Sequence, residues 1–142
     1  GADSYTIYIL HSDLTLTDQT YICGAIDEKF ACHFIAVPGK VFEDFPETAR
    51  YPVQIYYRLA APLLLPKNID RILYLDVDTI IINPLMSLYD TDFEEKWFVA
   101  CTHTKEFLKK CNQFRLRIEK DVPYINTGVM LMNLPELRQH LE

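Results

Sequence analysis

The sequence predicts an α/β fold with a mostly parallel sheet flanked by helices. Three observations predict it. The first is a strand–helix–strand succession at the start. Tyr5-Thr6-Ile7-Tyr8-Ile9-Leu10 is β-rich, Ile22, Ala25, Ile26 and Phe30 recur at helical spacing, and Cys32-His33-Phe34-Ile35-Ala36-Val37 is β-rich again. The second is Ile72-Leu73-Tyr74-Leu75, four apolar residues running without alternation into Asp76, the pattern of a strand covered on both faces. The third is a pair of later apolar runs, Trp97-Phe98-Val99-Ala100-Cys101 and Val129-Met130-Leu131-Met132, which read as further buried strands.

Each element has its own justification. Thr15-Leu16-Thr17-Asp18 fits a capping box, so the first helix is expected over roughly residues 15–30. Pro38-Gly39 ends the second strand, and residues 38–50 read as a loop. Pro52 suits a first helical turn. Val53, Tyr56, Tyr57, Ala60 and Leu64 follow at helical spacing, with Ile55 and Leu59 widening the apolar face, so this helix is expected to be mostly buried. Arg58 on it then needs an anion: a structural carboxylate such as Asp76, or a ligand phosphate or sugar. After the central strand, Ile80-Ile81-Ile82 is expected to return the chain to the interior until Asn83-Pro84 breaks it. Residues 84–89 read as a short helical turn, 102–121 as a charged loop and short helix, and Leu134-Pro135-Glu136-Leu137-Arg138 as the opening of a last helix.

The bulk numbers bound the function. A chain of 142 residues is one domain's worth. A net charge of −6 argues against nucleic acid as a partner. No apolar stretch reaches membrane-spanning length, and Pro62 and Pro66 interrupt the longest candidate. No signal-peptide pattern opens the chain. Gly1-Ala2-Asp3-Ser4 and the closing Gln139-His140-Leu141-Glu142 read as the ends of a segment from a longer protein. Cys23, Cys32, Cys101 and Cys111 form no Cys-x-x-Cys pair; Cys23 and Cys32 are expected as small buried hydrophobes, reduced, in a cytoplasmic setting. His33 reads as a core residue, and His103, near Cys101, is the one histidine considered for a site.

The chemistry concentrates at Asp76-Val77-Asp78. Two carboxylates this close to a strand end repel each other, and a divalent cation relieves that at the carboxyl end of a sheet, where open α/β folds place ligands. Hard oxygen donors suit Mg²⁺ or Mn²⁺, ions that commonly hold phosphates, so a metal–diphosphate site is the expectation. The spacing alone is weak: 11 Asp residues give about one Asp-x-Asp pair by chance. Asp90-Thr91-Asp92 is such a pair and reads as solvated turn chemistry. Context separates the first pair, which caps an apolar strand. Asn126-Thr127-Gly128 sets two side-chain hydrogen-bonders and a backbone-permissive glycine before another strand, suited to polyol recognition or to an ordinary Asx-type turn.

Three blocks together carry a resemblance: Tyr56-Tyr57-Arg58-Leu59, Ile72-Leu73-Tyr74-Leu75-Asp76-Val77-Asp78-Thr79, and Tyr124-Ile125-Asn126-Thr127-Gly128-Val129-Met130-Leu131-Met132-Asn133-Leu134. In order and spacing the chain resembles glycosyltransferase family 8, the family of bacterial lipopolysaccharide galactosyl- and glucosyltransferases and of glycogenin. The resemblance implies a GT-A, Rossmann-like fold, with residues 1–142 a single partial domain. It implies a UDP-glucose or UDP-galactose donor, Mn²⁺ (or Mg²⁺), a saccharide or glycolipid acceptor, and hexosyl transfer with retention. On it, Asp76 and Asp78 are metal ligands, Val77 lies by the donor ribose, Arg58 reaches the donor sugar and the acidic pair, and Asn126 faces the sugars. Ile125 stands where the family has Phe, and Thr127 where it has a smaller residue. The family's first strand with its uracil-holding acidic loop, and its metal-binding histidine, are expected outside this chain, as is any peripheral membrane contact. Two alternatives stand beside this reading. One is a haloacid-dehalogenase-type phosphatase using Asp76 as nucleophile, although the Gly expected after the second Asp is absent. The other is a truncated, non-catalytic domain that binds other proteins.

Overall fold

The computed structural model describes residues 4–46, 52–102 and 125–141. His103, Cys111 and Tyr124, and the expected loop and helix over 102–121 beyond Thr102, lie outside the described residues. The chain divides into two compact units, Gly1–Pro66 and Lys67–Glu142, each described by itself.

In the first unit, β1 (Tyr5–His11) and β2 (Phe30–Ala36) pair in parallel, in register from Tyr5 opposite Phe30 to His11 opposite Ala36. The connecting α1 (Leu16–Ala25) makes this the expected βαβ unit. Its capping box forms: Thr15 Oγ1 accepts from the Asp18 amide at 3.2 Å, and the Asp18 carboxylate accepts from the Thr15 amide at 2.8 Å. The Thr15 hydroxyl also donates to the Asp18 carboxylate at 2.6 Å, and this bond first, then the one from the Thr15 amide, holds the Asp18 carboxyl below its ordinary pKa. A depressed carboxylate stabilises above its unfolded-state pKa and loses that contribution as pH falls through the folded one. Acid titration followed by amide exchange is therefore expected to show the first turn of α1 fraying below the ordinary aspartate range, and Asp18→Asn is expected to remove that pH dependence.

Helix α1 departs from expectation in burial. It ends at Ala25 rather than near residue 30 and has no buried residue, because its apolar side chains are spread around the helix rather than gathered in one stripe. Cys23 is accordingly exposed, not a buried hydrophobe, and Cys32 is half-buried. Burial, and then the neighbouring Cys23 thiol, push the Cys32 thiol pKa up. His33 is also exposed on β2, where it stacks on Tyr8 across the strand pair at 5.1 Å rather than sitting in a core.

Two 3₁₀ turns, Gly39–Phe42 and Val53–Tyr56, lead to α2 (Tyr57–Leu64). The core of this unit joins Val37, Phe42, Tyr57 and Ala60, with Leu10 of β1 packed on it. Phe42 stacks on Tyr56 and Tyr57, and the Tyr56 hydroxyl donates to Pro46 O at 2.8 Å. Helix α2 buries Tyr57, Ala60, Ala61 and Pro62, while Leu59 and Leu63 are exposed, so its buried stripe is narrower than predicted.

The second unit contains β3 (Arg71–Leu75), α3 (Met86–Tyr89), β4 (Phe98–Ala100), β5 (Val129–Asn133) and α4 (Leu134–His140). Strand β5 is central, with β3 on one side and β4 on the other, both antiparallel to it. The apolar run of β3 thus marks a strand whose described partner is antiparallel, not the parallel neighbour expected. An apolar run reports cover on both faces and carries no information on partner direction. Met130, Leu131 and Met132 of β5 are buried.

Polar ties fix the start of β3. The Leu134 amide donates to Asp70 O at 2.9 Å. The buried Arg138 of α4 donates to Ile69 O at 2.9 Å and Lys67 O at 3.3 Å. Arg71 donates to Tyr89 O at 2.7 Å, and its guanidinium lies 5.0 Å from the Phe93 ring centroid. These bonds satisfy backbone carbonyls around the start of β3.

The isoleucines after β3 correct another expectation. Residues 76–85 form no strand, and Ile80 and Ile82 are 84% and 85% exposed. A turn closed by Thr79 N on Asp76 O at 3.0 Å redirects the chain, so β-propensity there finds no described partner strand.

Candidate active site

Asp76 directly follows β3. Its amide donates to Gly128 O at 2.8 Å, which carries the β3–β5 pairing one residue beyond Leu75 and Val129. The side chain is half-buried. Its Oδ1 accepts from the Tyr74 hydroxyl at 2.7 Å. Val77 and Asp78 are exposed. Among the described residues, no side-chain hydrogen bond or ion pair involves Asp78.

The Asn126–Gly128 segment meets this point from the other side of the sheet order. The Asn126 amide donates to Cys101 O at 2.8 Å, which ties the segment to the end of β4. The Gly128 amide donates to Asn126 Oδ1 at 2.8 Å, an Asx turn. Of the two readings of this segment, the turn is therefore formed, and it leaves the Asn126 amide group as the part of the side chain offered to solvent.

Gly128 is the residue whose importance the sequence misplaced. No described glycine has a positive φ, so backbone permissiveness is not its reason. Space is. A Cβ on Gly128 would lie 2.7 Å from Asp76 Oδ2 and 3.2 Å from Asn126 Oδ1. The bare Cα is what lets the two side chains converge. The fold thus brings Asp76 and Asn126 together from distant parts of the sequence.

Arg58 lies on α2 in the first unit, half-buried, with Nε donating to Ile55 O at 2.9 Å. Asp92 Oδ1 accepts from the Glu94 amide at 3.0 Å, the turn role read for it. Tyr74 was not singled out by sequence reading. The signal was available: residues i and i+2 of a strand share a face, so Tyr74 and Asp76 point the same way.

The donor set suits a hard divalent ion. The described residues hold no group of three or more His, Cys, Asp or Glu that could bind a metal. Two carboxylates are nevertheless a sufficient protein share for Mg²⁺-like ions, which take remaining positions from substrate phosphates and water. The oxygens of Asp76 and Asp78 match that pattern, with Asp76 set in place and Asp78 exposed.

Comparison with solved structures defines the class. Galactosyltransferase LgtC, crystallised with donor and acceptor sugar analogues, matches 94% of this chain and 48% of its own, with a TM-score of 0.81 at 24% identity. The fold is that of a GT-A glycosyltransferase. Residues 4–141 match glycosyl transferase family 8, and the chain belongs to that family. Lipopolysaccharide 1,2-glucosyltransferase of Escherichia coli is 30% identical over 106 residues, 74% of this chain and 31% of that protein. General stress protein A of Bacillus subtilis is 25% identical over 109 residues, 75% of this chain and 36% of that protein. The chain spans between about a third and two fifths of the length of the curated relatives it matches. Family membership displaces the phosphatase alternative. No helix among the described residues is long and apolar enough to cross a membrane.

Proposed function

We propose that residues 1–142 form one partial GT-A domain carrying the metal- and donor-binding half of a retaining hexosyltransferase, with a UDP-hexose as donor and a saccharide or glycolipid as acceptor. The observation that carries the reading is the convergence of Asp76, Asn126 and Gly128 at the ends of β3 and β5, next to the exposed Asp78. Asp76 and Asp78 would hold Mn²⁺ or Mg²⁺, which when bound neutralises the leaving diphosphate. Val77, between the two carboxylates, would lie by the donor ribose, as the family resemblance implies. Asn126, with its Oδ1 engaged by Gly128, acts through its Nδ2 as a donor to sugar hydroxyl oxygens. Arg58 supplies fixed positive charge for the donor. Transfer of glucose or galactose is favoured by the names of the relatives, one a glucosyltransferase and one a galactosyltransferase. The lipopolysaccharide 1,2-glucosyltransferase of Escherichia coli favours bacterial lipopolysaccharide assembly as the setting, and a cytoplasmic site of action completes the proposal.

Calorimetric titration of UDP into the chain, with and without Mn²⁺, tests the reading. Mn²⁺-dependent binding is expected for the wild type and is expected to vanish in Asp78→Asn, which keeps size and removes the charge. Equal UDP binding with and without Mn²⁺, unchanged by Asp78→Asn, would sink the metal–diphosphate site and favour the non-catalytic alternative.

A further inference from the structure

Asp76 and Asp78 are two residues apart, yet the fold treats them differently. Asp78 is exposed, with no side-chain partner among the described residues. Asp76 has both oxygens located. Oδ1 takes the Tyr74 hydroxyl at 2.7 Å, and Oδ2 lies 2.7 Å from the point a Gly128 Cβ would occupy. Tyr74 is itself fixed. It lies within β3, opposite the buried Met130 of the central strand, and is half-buried.

We propose that Tyr74 is a positioning residue, whose hydroxyl orients the Asp76 carboxylate for a divalent cation. The inference rests on the metal-site reading above. A carboxylate just beyond a strand end has two free torsions. A hydroxyl on the same strand face, anchored by a half-buried ring, selects one orientation while its bond occupies only one of the lone pairs on Oδ1. Outer partners of this kind fix metal-ligating carboxylates, and their removal typically lowers metal affinity 10–100-fold. The site is then asymmetric: one ligand is preset, and the other is free to close on an arriving metal–diphosphate. The simpler alternative is that the tyrosine merely satisfies its own hydroxyl, with no effect on the cation.

The test is Mn²⁺ titration followed by the electron paramagnetic resonance signal of free and bound ion, in the presence of UDP, for wild type, Tyr74→Phe and Tyr89→Phe. The Tyr89 hydroxyl donates to Arg71 O at 3.3 Å in the same unit, so its removal controls for loss of a tyrosine hydrogen bond away from the carboxylates. Tyr74→Phe is expected to raise the Mn²⁺ dissociation constant tenfold or more and to broaden the bound-ion spectrum, which reports ligand geometry. Tyr89→Phe is expected to stay within twofold of wild type. A Tyr74→Phe dissociation constant within twofold of wild type, with an unchanged bound-ion spectrum, overturns the positioning role alone. Equal weakening in both variants also overturns it, because the effect would then be general destabilisation. Wild type that binds no Mn²⁺ with UDP present overturns the metal site and the role of Tyr74 with it.

Discussion

Gly128→Ala is expected to abolish tight divalent-cation binding while leaving the fold intact. The added Cβ would stand 2.7 Å from Asp76 Oδ2, closer than non-bonded carbon and oxygen tolerate, and 3.2 Å from Asn126 Oδ1. Both atoms are at the ends of side chains, so the strain is relieved by swinging the carboxylate and nudging the amide. The backbone bridge from Asp76 N to Gly128 O need not move. Since no described glycine has a positive φ, alanine meets no backbone penalty there either. Stability in urea is therefore expected to change by no more than about 1 kcal/mol. The carboxylate, however, leaves the orientation that the Tyr74 hydroxyl supports, and Mn²⁺ affinity is expected to fall about 100-fold, the upper end for loss of ligand positioning. Calorimetry of Mn²⁺ with UDP, alongside urea denaturation, reads both quantities. Unaltered Mn²⁺ affinity would show that the cation does not use Asp76 in the orientation seen here.

Leu131→Ala is expected to have the largest effect on stability. Leu131 is 0% exposed at the centre of the middle strand, opposite Leu73 on β3 and Val99 on β4. Flanking strands on both sides limit collapse into the vacated space, so the loss is expected to be about 3–5 kcal/mol, the upper part of the range for large-to-small core changes. Ile82→Ala is the paired control. Its side chain is 85% exposed, and the change is expected to stay within about 0.5 kcal/mol. Urea midpoints for the two variants, read at equal slope, decide the matter. A comparable loss in both would mean that the isoleucine run is buried in solution.

The contrast between Leu131 and Ile82 shows what the sequence conveyed. Both sit in apolar runs in or beside a predicted strand, and the residue pattern alone takes each to the interior. What separates them is a partner strand, a property of distant residues. β5 pairs with two neighbours, whereas the turn after Asp76 leaves Ile80–Ile82 without one among the described residues. For the same reason β3 was recognised as a strand while the direction of its neighbour was not. The local features were legible: the Thr15–Asp18 box, the βαβ unit, and the acidic pair at a strand end. The resemblance in the blocks around Arg58, Asp76 and Asn126 pointed to the family that the comparisons show.

The candidate site divides in the same way. Residue types that carry charge or hydrogen-bonding groups were visible as candidates. Gly128 and Tyr74 were not, because their importance lies in what they leave empty and what they touch. A glycine before a strand suggests backbone freedom, and only the position of Asp76 Oδ2 reveals that room is the requirement. A tyrosine within an apolar run reads as core until its hydroxyl is seen on the carboxylate.

The two bridges Asn126 N to Cys101 O and Asp76 N to Gly128 O also bear on how such a chain can diversify. They pin both ends of the interval from residue 102 to 125 to the sheet. The entropy of closing a longer interval between those ends rises by only about 0.6 kcal/mol for each doubling of its length. Change in the length of this interval is therefore a low-cost route by which such chains can diverge.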